Sequence, residues 1–133
     1  FRYPSEPNIN YIKRVVGLPG DTVRYTKEKR LYVNGELVAE KLVGEEPGTL
    51  GSVTLYQEKL GQAEHLIRKE MSRYRIEPDR QWTIPAGHYF MMGDNRDNSN
   101  DSRYWGYVPR ADLVGRVFVV WYAEDTRRIG SVR

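Results

Sequence analysis

Apart from Gly93, every residue from 93 to 103 is Asp, Asn, Ser or Arg, in the order Gly-Asp-Asn-Arg-Asp-Asn-Ser-Asn-Asp-Ser-Arg. Asx and hydroxyl side chains bond readily to nearby backbone groups, so such a loop can be fixed by its own polar network and can position catalytic groups. A solvated turn is the ordinary alternative. A calcium loop does not fit. Counted from Asp94 or Asp97, the sixth residue is Ser99 or Ser102 where that motif needs glycine, and the twelfth is Trp105 or Val108 where it needs glutamate. Zinc does not fit either, because there is no cysteine and His65 and His88 are far apart. Each histidine reads as a surface or strand residue, and neither a metal nor a cofactor is expected. A Ser-His-Asp triad is compatible with the spacing, but no Gly-x-Ser-x-Gly elbow presents a serine.

Lys13 is the other singular residue. It interrupts the apolar run Tyr11-Ile12-Lys13-Arg14-Val15-Val16. On a strand it shares a face with Tyr11 and Val15, while Arg14 shares the other with Ile12 and Val16. One of the two basic side chains therefore points towards a packed face. A lysine so placed usually snorkels to solvent. Held in a dry site instead, a lysine is favoured in its neutral form, which is what a general base near neutral pH requires.

The elements that must carry these residues are mostly strands. The 12 Gly, 7 Pro and 10 Tyr favour turns and pleated surfaces. Residues 9–16 are β-rich and end at the turn cluster Gly17-Leu18-Pro19-Gly20-Asp21. Asn34-Gly35 between Leu31-Tyr32-Val33 and Leu37-Val38 is a hairpin signal, because both residues tolerate the positive φ of a type I′ turn. Residues 43–51 read as loop. Over 53–76, helical spacing (Leu60, Ala63, Ile67, Met71, Tyr74) competes with a second hairpin turning at Leu60-Gly61-Gln62, and Gly61 favours the hairpin. Tyr89-Phe90-Met91-Met92 is a short apolar run suited to a buried strand, 114–121 reads as a core strand, and 126–133 as a frayed end.

Net charge is +3 with acids interleaved among the bases, so no coherent basic stripe supports nucleic-acid binding. No apolar stretch approaches the roughly 20 residues that cross a bilayer. The chain opens at Phe1 in sequence of mid-domain character, so a longer protein is expected around it.

Two long segments carry a family resemblance. Residues 11–21, Tyr-Ile-Lys-Arg-Val-Val-Gly-Leu-Pro-Gly-Asp, resemble the lysine box of bacterial type I signal peptidases. Residues 87–106, from Gly87-His88-Tyr89 through the polar loop to Tyr104-Trp105-Gly106, resemble their glycine-aspartate-asparagine box. Val108-Pro109 and Leu113-Val114-Gly115-Arg116 follow in the fitting order, while the middle of the chain matches loosely. The resemblance implies a membrane-anchored endopeptidase on the outer, periplasmic face of the cytoplasmic membrane. It would remove signal peptides from exported preproteins after small residues at −1 and −3, with a Ser-Lys dyad. By position, Lys13 would be the general base and Ser99 would orient its amine. Asp94 would pair with Arg14 and Asp101 with Arg103. Asn10 and Ile12 would bind the extended substrate as an added strand.

The implied fold is mainly β: an antiparallel catalytic core over 1–23 and 83–133, of the signal peptidase and self-cleaving repressor type, interrupted by an inserted β-hairpin region at 24–82. One departure is central. The family nucleophile lies in a Ser-x-Met-x-Pro-Thr box, and none occurs in these 133 residues; Ser5, after Pro4 and before Glu6, does not match. The chain alone is therefore expected to be inactive, with its membrane anchors and nucleophile supplied upstream. Two other classes stay open. A non-catalytic peptide-binding β-module could use the edge at Asn10 to Arg14. A self-cleaving repressor shares the chemistry but would need a helix-turn-helix segment.

Overall fold

Alternating patterns and turn-forming residues cut the chain into short strands. The computed structural model describes residues 1–48, 51–70, 77–117, 119–120 and 130–131. Strands β1 (Arg2–Tyr3) and β2 (Glu6–Asn10) form a small ribbon. Next come β3 (Arg14–Gly17), β4 (Thr22–Tyr25), β5 (Leu31–Val33) and β6 (Glu36–Leu37). The β5–β6 turn has φ of 52° at Asn34 and 81° at Gly35, the two positive values that its type demands. A long meander follows, β7 (Ala39–Pro47), β8 (Ser52–Leu60) and β9 (Ala63–Glu70), with Gly61 at φ 61° in the β8–β9 turn. The hairpin, not the helix, is what 53–70 forms.

Strands β10 (Arg80–Thr83) and β11 (His88–Met92) lead into the polar loop and the single-turn helix α1 (Ser102–Trp105). Then come β12 (Val108–Pro109), a 3-10 turn at Arg110–Asp112, β13 (Val119–Val120) and β14 (Gly130–Ser131). The sheets order as β10-β4-β5-β6, β12-β11-β3 and β7-β8-β9, beside the pairs β1-β2 and β13-β14. The fold is mainly β with antiparallel sheets.

Val16, Val23, Tyr25, Leu31, Ile84, Phe90 and Met92 form the buried core, with Trp82 and Tyr107 packed against it. Val23 and Tyr25 point inward while Arg24 between them is exposed, the period-2 pattern of a half-buried strand. Phe90, Met91 and Met92 are all buried, as the apolar run requires. That core holds β3 and β11 side by side, and so holds Lys13 next to the loop after Met92.

Three sequence expectations are corrected. Residues 9–16 are not one strand: β2 ends at Asn10, β3 begins at Arg14, and 11–13 lie between them. The stretch changes partners there: β2 pairs with β1 and Tyr11 exchanges two bonds with Phe1, at 2.8 and 2.9 Å, whereas β3 pairs with β11. Residues 43–47 are strand rather than loop; the β7–β8 register shifts between Leu42 and Gly44, a bulge that absorbs Val43. Residues 49–50 lie outside the described residues. Finally, of the strand read at 114–121, residues 114–117 belong to no strand, and Val114 and Val117 are exposed. An apolar run becomes a core strand only where a ladder partner and a facing layer cover it, and no described residue does so there. Val119–Val120 instead pair with Gly130–Ser131, within the tail read as frayed. Residues 118, 121–129 and 132–133 lie outside the described residues.

Gly17 sits where a side chain has no room. A Cβ there would lie 2.2 Å from Ile84 Cδ1 and 2.8 Å from Val23 Cγ2. Gly17→Ala should destabilise the fold by about 1–3 kcal/mol through overpacking. Gly44→Ala, with nothing within 4 Å of the new methyl, should stay within about 0.5 kcal/mol of wild type. Urea midpoints of the two variants check the contrast.

Candidate functional site

The loop that leaves β11 is built around a buried carboxylate. Asp101 is 0% exposed and caps α1 by accepting from the Arg103 backbone N–H. Its Oδ2 accepts from Gly93 N–H at 2.9 Å, and the Arg103 guanidinium closes a bidentate pair at 2.8 Å on both oxygens. Burial alone would raise the Asp101 pKa, but Arg103, the Gly93 amide and Ser99 outweigh it and hold the carboxyl below its ordinary range. Arg103 also donates to Arg96 O at 2.6 Å and lies over the Tyr25 ring at 5.1 Å.

Lys13 Nζ donates to Ser99 Oγ at 2.8 Å. In that contact the amine is the donor and the hydroxyl oxygen the acceptor. Gly93 lies directly beneath: a Cβ there would be 2.1 Å from Ser99 Oγ and 3.4 Å from Lys13 Nζ. Only glycine permits this approach. Tyr11 holds the other side, packed on Tyr3, with Tyr3 in turn 5.4 Å edge-on from Trp105 of α1. Lys13 Nζ lies 5.6 Å from the Tyr11 ring centroid. Arg14 points the opposite way, in a bidentate pair with Asp94 at 2.8 and 2.9 Å.

Of the residues singled out by sequence, six are therefore gathered: Lys13 with Ser99, Arg14 with Asp94, and Asp101 with Arg103. Asn10 and Ile12 stand apart from this network and are exposed, Ile12 at 76%. Among the described residues, no group of His, Cys, Asp and Glu could hold a metal ion, and no helix is long and apolar enough to cross a membrane.

Sequence reasoning missed the floor under the loop. Strand β9 runs beside residues 94–97: Arg68 N–H donates to Asp94 O and Arg96 N–H to Arg68 O, both at 2.9 Å, and Glu70 N–H donates to Asp97 Oδ2 at 2.7 Å. The sheet face below the loop carries charge. Glu58 of β8 and Arg96 form a bidentate pair at 2.5 and 2.8 Å, each 1% exposed. His65, opposite Glu58 across the ladder, completes the cluster at 2.9 Å. Burial by itself would raise the Glu58 pKa, but the His65 hydrogen bond and the Arg96 charge bring it to about 2. Buried Lys69, whose pKa burial lowers, pairs with Glu40 at 2.5 Å, and Lys29 pairs with Asp97 at 2.9 Å. The available signal was phase: Glu58 and Lys69 alternate with Tyr56 and Ile67 on one face, and a charge in step with an inward face needs a buried partner.

The comparisons place the chain. The family model described as "Signal peptidase, peptidase S26" matches residues 1–122. The chain belongs to that family. Signal peptidase I of Pseudomonas aeruginosa is 86% identical over 131 aligned residues, which cover 91% of this chain and 46% of that protein. Signal peptidase I of Buchnera aphidicola subsp. Acyrthosiphon pisum is 32% identical over 165, covering 94% and 52%. A solved signal peptidase I from Enterococcus faecalis V583 is 28% identical at a TM-score of 0.41, covering 77% of this chain and 78% of that one. The chain spans about half the length of the curated relatives it matches.

Acid should loosen this site first. The folded Glu58 carboxyl titrates near 2 against an ordinary 4.5, a depressed value, so its stabilisation is complete above about pH 5 and is lost as pH falls towards 2. The difference corresponds to roughly 3 kcal/mol. Asp101 adds in the same direction. Unfolding free energy measured from pH 7 to 2 should fall through that window, and Glu58→Gln should flatten the fall while lowering stability at pH 7.

Proposed function

We propose that this chain is the lysine-bearing part of a membrane-anchored serine endopeptidase that removes signal peptides from exported preproteins. The observation that carries the reading is the Lys13 amine held 2.8 Å from Ser99 Oγ, with no carboxylate in ion-pair reach of it among the described residues. An amine fixed by a hydroxyl keeps a lone pair for proton transfer, whereas a carboxylate partner would favour the ammonium. Two acids of the loop are already committed, Asp94 to Arg14 and Asp101 to Arg103.

In this reading a serine hydroxyl supplied from outside these 133 residues attacks the carbonyl carbon of the scissile bond. Lys13 takes its proton and passes it to the leaving amine as the C–N bond breaks. Water then attacks the ester, again giving a proton to Lys13, which returns it to the serine. Ser99 fixes the amine, and Arg14, Asp94, Asp101 and Arg103 brace the loop. The substrate is an extended peptide with small residues at −1 and −3, aligned as an added strand along the exposed residues Asn10 and Ile12. Membrane anchors outside this chain would hold the domain on the periplasmic face of the inner membrane. No nucleic acid, metal or cofactor takes part.

Three variants of the full-length protein test the reading against a preprotein with Ala at −1 and −3. Lys13→Ala and Lys13→Arg should each lose cleavage by at least about 10³-fold with unchanged circular dichroism, since a guanidinium stays protonated. Ser99→Ala should keep weak activity with an altered alkaline limb in its pH–rate profile. The 133-residue chain alone should not cleave. Near-normal turnover in folded Lys13→Arg would contradict the dyad.

A further inference from the structure

The peptide group of Gly93 is gripped at both ends. Its N–H donates to Asp101, and its carbonyl accepts from Arg96 Nε at 3.2 Å. The remaining guanidinium nitrogens of Arg96 are taken by Glu58, and both side chains are sealed from water. Glu58 belongs to the β8–β9 hairpin, which contributes no group to the Lys13–Ser99 contact. Ser99 Oγ rests on Gly93 with no space between them, so any movement of that peptide moves the hydroxyl that holds the lysine amine.

We infer that Glu58, acting through Arg96, is a positioning residue for the dyad: the hairpin sets where Gly93, and hence Ser99 and the Lys13 amine, can sit. This rests on the proposed dyad chemistry. A fixed guanidinium needs a planar, bidentate partner, and Glu58 supplies one aimed by its cross-strand contact with His65. An exposed pair in that place would exchange rotamers and leave the Gly93 carbonyl to water. A displacement of about 1 Å at a reacting group can cost on the order of 100-fold in rate.

The test separates positioning from stability. In the full-length protein, Glu58→Leu combined with Arg96→Met replaces the buried pair by apolar groups of similar size, a change that can leave stability intact. The expected result is a folded protein whose kcat falls on the order of 10- to 100-fold with KM within about twofold, because the Gly93 carbonyl has lost its donor. Arg96→Lys, which keeps charge but not the fork, should lose kcat as well. Glu40→Gln breaks another buried pair of the same meander without touching Gly93, so it should lower stability and leave kcat unchanged. Wild-type kcat in the folded double variant, with Lys13→Ala dead in the same assay, would overturn the positioning role and leave the dyad standing. Activity in Lys13→Ala would instead remove the dyad itself.

Discussion

The buried carboxylate of Asp101 is the contact on which the site depends. It is sealed from water, yet it accepts from two backbone amides and a guanidinium at once. A buried charge survives only when every lone pair is spoken for. Here each donor is also a structural joint: Gly93 directly follows the central strand β11, and Arg103 lies in the single turn of α1. Remove the carboxylate and the two lose their common reference point.

Around that centre the molecule alternates dry and charged layers. Below β3 and β11 lies the apolar core, which fixes the strands; beside the loop lies the charged face of β8 and β9, which fixes the turn that the strands release. Apolar packing is non-directional and could not place a hydroxyl to within a few tenths of an ångström. Bidentate pairs such as Arg96–Glu58, Arg103–Asp101 and Arg14–Asp94 are directional and can.

Local chemistry made part of this legible in the sequence. Asn34-Gly35 and Gly61 announced their turns, Tyr89 to Met92 announced a buried strand, and the two boxes announced Lys13, Ser99, Arg14, Asp94, Asp101 and Arg103. What escaped depends on contacts distant in sequence. Glu58 and Arg96 are 38 residues apart, and a glutamate in a mixed polar strand reads as a solvent-facing residue until its partner is known. The break at 11–13 falls where the ladder partner changes, from the chain's first residues on one side to β11 on the other. Residues 114–117 misled for the converse reason: their apolarity is visible, but the layer needed to bury it is a tertiary matter.

The claim that the polar loop is a rigid platform, not a solvated turn, is tested most directly by native-state amide hydrogen exchange. The Gly93 and Arg96 amides, bonded to Asp101 and to Arg68 O, should exchange as slowly as those of β11, with opening free energies close to that of global unfolding. Exchange of these two amides at the rate of exposed turns, while β11 stays protected, would contradict the account.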